Sequence, residues 1–115
     1  MNADKVSPEV QIALGGKIWN LVYTTRVAIK IEQATGINSL DITTLLSNMT
    51  MSRIAAMLWA FLSESDKKLT LEEVTGWMDF SKLAEIGGCM TKAIINAFPE
   101  AKEKAEAQEQ QPKNA

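Results

Sequence analysis

Residues 49–78 read MTMSRIAAMLWAFLSESDKKLTLEEVTGWM, an almost wholly apolar run followed by a short polar turn and a strongly signalled second helix start. Every residue from Ile54 to Leu62 is apolar, Met57, Trp59 and Phe61 among them. The run is much shorter than the roughly 20 apolar residues that span a bilayer. Such a helix has to be covered, either at the centre of a small domain or by another chain. The pattern predicts a start near Thr50 or Met51 and an end near Ser63, where Ser63-Glu64-Ser65-Asp66 breaks it. The next helix opens at Thr70, with Glu73 placed to complete a capping box and Leu69 and Val74 placed to close a hydrophobic staple. A cap of this kind adds about 1 kcal/mol over an uncapped start.

Upstream, Val10 to Tyr23 holds two β-prone runs around Gly15-Gly16, the pattern of a hairpin. Val10, Ile12 and Leu14 fall on one face of the first run. Trp19, Leu21 and Tyr23 share one face of the second, with Ile18 and Val22 on the other. Thr24 to Thr35 fits a strand through Val27, Ile29 and Ile31, or a helix through Val27, Ala28, Ile31 and Ala34; helix is favoured, capped by Thr24 or Thr25 and closed by Gly36. A short helix is expected over Ser39–Ser47, with Asn38 or Ser39 as cap and Ile42, Leu45 and Leu46 facing inward.

Downstream, Trp77 and Met78 finish the capped helix. Asp79 or Ser81 opens a last one carrying Leu83, Ile86, Met90, Ile94 and Phe98 at helical spacing, ended by Pro99. Gly87-Gly88 within it costs roughly 1 kcal/mol per glycine relative to alanine, which points to a kink or a close helix approach. The first eight residues read as a flexible N-terminus, and 99–115, rich in Glu, Lys and Gln with alanines as the only apolar residues, as a disordered polar tail. The expected fold is therefore α+β and mostly α: a single domain over 9–98 with an N-terminal β-hairpin and about five helices.

Composition narrows the chemistry. A net charge of −2 is no footprint for phosphate binding, so nucleic acid is an unexpected partner. Residues 1–10 contain no apolar segment of a secretory signal. Histidine is absent, which removes the commonest general base and metal ligand. Carboxylates, lysines and the single Cys89 remain without a recognisable pairing. No catalytic residue, metal or cofactor is therefore expected. Glu64, Asp66 and Glu73 do not make a calcium loop, since its first position would be Leu62 and its sixth Lys67. Asn38-Ser39-Leu40-Asp41 resembles an acyl-carrier attachment site, but Asn38 replaces the aspartate, and Ser39 as a helix cap is the favoured account. Cys89, beside Met90 on an apolar helix, is expected to be a small buried hydrophobe. The methionines and aromatics on three helices are mostly core, with Met51, Trp59, Phe61 and Trp77 as the candidates for contact with a partner.

The Gly-Gly hairpin, the Ala34-Thr35-Gly36 helix end, the Leu58-Trp59-Ala60 segment and Leu69-Thr70-Leu71-Glu72-Glu73-Val74 resemble, in order and spacing, the tail assembly chaperones of long-tailed (siphovirus-like) bacteriophages and prophages. The resemblance covers nearly all of Val10 to Phe98. It implies a non-enzymatic protein of the bacterial host cytoplasm that coats the tape measure protein, helps recruit tail tube protein around it, often forms homo-oligomers and is not in the mature virion. Nucleic acid and membrane are not among the implied partners. The competing readings are a structural tail-completion protein of the virion and an acyl-carrier-like protein modified at Ser39.

Overall fold

The computed structural model describes residues 10–47 and 49–98; the expected flexible N-terminus, the Pro99 stop and the polar tail lie outside them. The hairpin is formed by β1 (Gln11–Leu14) and β2 (Lys17–Asn20), paired antiparallel with Ile12 opposite Trp19 and Leu14 opposite Lys17. Gly15 and Gly16 both take positive φ, 61° and 78°, as a tight two-residue turn requires. The expected faces are observed: Val10, Ile12, Leu14, Trp19, Leu21 and Tyr23 are buried, whereas Ile18 and Val22 stand 67% and 63% exposed.

Helix α1 (Thr25–Thr35) starts under Thr24, whose hydroxyl accepts from Val27 N at 3.2 Å, and ends at Gly36, whose φ is 76°. Val27 and Ile31 are buried and Ala28 half-buried, but Ala34, expected on the same face, is exposed. The central helix α3 (Met51–Leu62) is capped by Thr50 and packs against α1, α4 (Leu71–Trp77) and α5 (Leu83–Ala97). Ala55 to Leu58 and Ala60 to Leu62 are buried, with Ile54 and Trp59 packed at the margin. The chain's own elements thus enclose most of its most apolar helix. The capping box at Thr70 is complete: Glu73 N donates to Thr70 Oγ1 at 3.1 Å and Thr70 N to Glu73 Oε1 at 3.0 Å. Leu69 and Val74 are both buried beside it.

Two local expectations are corrected. The short helix α2 runs only over Ile42–Leu45, because Ser39 is held elsewhere: its N–H and its hydroxyl both donate to Glu32 Oε2, at 3.1 and 2.7 Å. Asn38 Oδ1 accepts from Leu40 N at 2.9 Å, and Asp41 caps the helix by accepting from Thr44 N at 3.2 Å. Leu45 is buried and Leu46 half-buried as expected, while the side chain of Ile42 lies outside the described residues. The second correction concerns α5, which is one continuous helix through Gly87-Gly88. A Cβ at either glycine would meet nothing within 4 Å, so no close approach explains the pair. A 3-10 turn (Phe80–Lys82), capped by Asp79 through Ser81 N, leads into α5, and Ile86, Met90 and Ile94 face the core.

Gly15 is where a glycine is needed for space. A Cβ there would sit 2.3 Å from Cε2 of Trp77, which brings the end of α4 against the hairpin turn. Gly15→Ala is expected to cost about 2 kcal/mol or more, since it adds overpacking to the left-handed backbone penalty. Gly16→Ala, with open space around it, should cost only the backbone part, about 1 kcal/mol. Gly88→Ala should stabilise by up to about 1 kcal/mol. Denaturant unfolding of the three variants checks this order, and equal effects at Gly15 and Gly16 would contradict the Trp77 contact.

Candidate partner-binding surface

The four side chains expected to face a partner occupy different environments. Met51, at the start of α3, is 44% exposed. Phe61 is 2% exposed and stacks in tilted fashion on Tyr23, with ring centroids 5.9 Å apart, so it belongs to the core and offers no surface to a partner. Trp59 is half-buried and engaged at both ends. Its Nε1 donates to Leu69 O at 3.0 Å, and the Lys30 ammonium stands 5.5 Å from the centre of its ring. Lys30 is itself fixed, donating to Ser63 Oγ at 2.7 Å and pairing with Glu64 at 2.6 Å, while Arg26 meets the other oxygen of Glu64 at 3.2 Å. Trp59 therefore ties α3 to the segment leading into α4, a bond that periodicity along α3 cannot reveal.

Trp77 is different. Half-buried, it lies against Trp19 with ring centroids 5.9 Å apart and an interplanar angle of 38°. It forms part of a cleft of about 830 Å³ at the hairpin tip, shared with the Gly15-Gly16 turn, Ile18, Lys17 and Lys82. Trp19 supports this site from beneath: it is 3% exposed, its Nε1 donates to Leu14 O at 2.9 Å, and the Lys17 ammonium sits 4.4 Å from its ring centre. The cleft thus combines apolar and aromatic walls with two lysines, a surface suited to an amphipathic segment carrying carboxylates. Phe80, 82% exposed, follows shortly after Trp77 in the chain. The exposure of Ile18 was legible from strand alternation. The meeting of Lys17 with Lys82 was not, because only the tertiary fold brings the turn and the 3-10 segment together.

A second, smaller groove of about 380 Å³ runs between the start of α1 and the end of α5, lined in part by Tyr23, Glu32, Ser39 and Phe98. Its polar groups bond to one another. Ser39 is 3% exposed and its hydroxyl is held by Glu32. The Tyr23 hydroxyl donates to Ser39 O at 3.4 Å, and burial raises its pKa above the ordinary phenol value. A carrier-protein serine must reach a transferase active site, and this one lies inward. Cys89, half-buried, donates its thiol to Gln11 O at 3.6 Å, and burial raises its pKa, so the thiolate is disfavoured.

No family model matches this chain, and no curated protein or solved structure does. Among the described residues there is no cluster of His, Cys, Asp or Glu that could hold a metal ion, and no helix long and apolar enough to cross a membrane.

The hydrogen bond from the Lys30 ammonium, together with the positive charges of Lys30, Arg26 and Lys67, holds the Glu64 carboxyl below its ordinary pKa. Its pairing therefore adds stability above the ordinary carboxylate range and loses it as pH falls through the lowered value. Glu64→Gln should cost about 0.5–1 kcal/mol near neutral pH. The difference from the parent chain should shrink toward zero at an acid pH below that lowered value, where the parent's carboxyl is protonated as well. Denaturant melts at the two pH values measure it; a gap that persists in acid would show that the ion pair is not its source.

Proposed function

We propose that the chain is a non-enzymatic tail assembly chaperone of a long-tailed bacteriophage or prophage. In this reading it works in the host cytoplasm, binds the tape measure protein, helps recruit tail tube subunits and departs before the virion is mature. The observation that carries the binding part is the hairpin-tip cleft, where Trp77 and Ile18 offer apolar contact and Lys17 and Lys82 offer positive charge. A tape measure protein is a long helix whose apolar stripe has to be shielded until tube subunits enclose it. Helix-in-groove docking meets that need with reversible binding, apolar anchors giving affinity and rim charges giving register. The order and spacing of motifs from Val10 to Phe98 support the same assignment.

This moves the docking surface from the middle of α3 to the turn between β1 and β2. Met51 is left at the edge of the domain and Trp77 becomes the central anchor. Exposed Leu40 and Ile29, which line the smaller groove, provide a further apolar area.

Co-expression with the tape measure protein encoded beside it should yield a soluble complex. Lys17→Glu combined with Lys82→Glu should weaken that complex about tenfold, equivalent to about 1.4 kcal/mol, and flatten its salt dependence, with the melting temperature lowered only by loss of the Lys17 contact with the Trp19 ring. Trp77→Ala should abolish binding but also loosen the hairpin, so the lysine pair is the cleaner probe. Unaltered affinity in the double charge reversal removes the cleft from the reading. Detection of the chain in purified particles would overturn the chaperone assignment in favour of a structural tail component.

A further inference from the structure

We infer that the free edge of β2 is a self-association surface, on which a second copy of this chain pairs antiparallel about a twofold axis at Asn20. The hydrogen bond from Leu21 N to Val10 O at 2.8 Å makes Val10 and Leu21 a bonded pair. By the alternation of an antiparallel ladder, Trp19 also points its backbone groups inward, whereas Ile18, Asn20 and Val22 point theirs away from β1. Among the described residues the sheet has two strands only, so no strand lies beside this edge of β2, and no turn or loop backbone bond engages the N–H or C=O of Ile18, Asn20 or Val22. The opposite edge differs, since Gln11 O on β1 accepts from Cys89 and α5 packs along that strand.

The occupant follows from the symmetry of the edge. Ile18-Trp19-Asn20-Leu21-Val22 reads nearly the same in both directions, with a β-branched residue at each end and asparagine at the centre. Antiparallel pairing at Asn20 sets Ile18 against Val22 of the second copy and Val22 against Ile18, each pair exchanging both backbone hydrogen bonds. An isologous interface needs this self-complementarity, which a strand made for a different partner does not. Natural edges carry lysine, proline or a bulge to prevent such pairing. Apart from Lys17 at the turn end of β2, the stretch up to Thr25 contains no charge and no proline, and the two bulkiest outward side chains are 67% and 63% exposed. Pairing turns a two-stranded hairpin, marginal by itself, into a four-stranded sheet whose outer face gains two Ile-Val contacts. The hairpin tips then point in opposite directions, one at each end of the sheet.

The test uses the full chain in analytical ultracentrifugation and oxidative cross-linking. Wild type should sediment as a dimer at micromolar concentration, and Ile18→Lys with Val22→Lys should halve the mass with an unchanged circular dichroism spectrum. In a Cys89→Ser background, Asn20→Cys should form a disulfide-linked dimer, because bonded antiparallel pairs have Cα atoms about 5.5 Å apart, within the roughly 4.4–6.8 Å that a disulfide bridges. If the double lysine variant fails to fold, the cross-link alone decides. A wild-type monomer overturns the inference and leaves the edge to a strand of another protein. A dimer that survives both lysines, or that does not cross-link at Asn20, places the contact elsewhere and overturns it as well.

Discussion

An apolar helix with no polar face must be enclosed on all sides, and the rest of this chain is arranged by that demand. Helix α3 carries Met57, Leu58, Phe61 and Leu62 fully inside, each worth about 1.5–3 kcal/mol against exposure to water. The chain has only a hairpin and a few short helices with which to cover it. α1, α4 and α5 pack against it, and Tyr23, in the segment between β2 and α1, lies on Phe61. What would have been a liability in a free helix becomes the one centre that every other element shares.

Where local chemistry decides local geometry, the sequence was readable. The caps at Thr24 and Thr70, the start of α3 near Thr50, the left-handed closure at Gly36 and the hairpin turn all depend on a few neighbouring residues, and all were found in place. The faces of β1 and β2 followed from simple alternation. The misreadings share a different cause. Ser39 caps no helix; its N–H and hydroxyl are instead fixed by donation to Glu32, on a separate element. The partner role expected at Phe61 failed because the segment between β2 and α1, distant in sequence, supplies Tyr23 as its cover. Trp59 has a similar history, its indole bound by a carbonyl beyond the polar turn. Gly87-Gly88 suggested a contact, but the tertiary fold leaves open space beside both.

The candidate site was half legible for the same reason. Trp77 stood out as a bulky aromatic at the end of a short helix, and Ile18 as the wrong-face residue of a strand. The lysines that flank them give no sequence signal, because Lys17 and Lys82 meet only once α4 has docked. Polar linkages around the domain are mostly peripheral and weak singly. The Lys30, Arg26 and Glu64 group connects α1 to the turn after α3, and the Lys30 ammonium also stands over the Trp59 ring.

The insertion of Trp77 against Gly15 has a consequence for synthesis on the ribosome. The hairpin leaves the exit tunnel before the helices, yet its turn is seated by a residue from α4 and its first strand by Cys89 from α5. Two strands alone are marginal in water, so the earliest part of the chain waits, unconsolidated, until nearly the whole domain has emerged. Folding is then a late and concerted event, and the nascent N-terminal segment stays available to the cell's own holdases for most of translation.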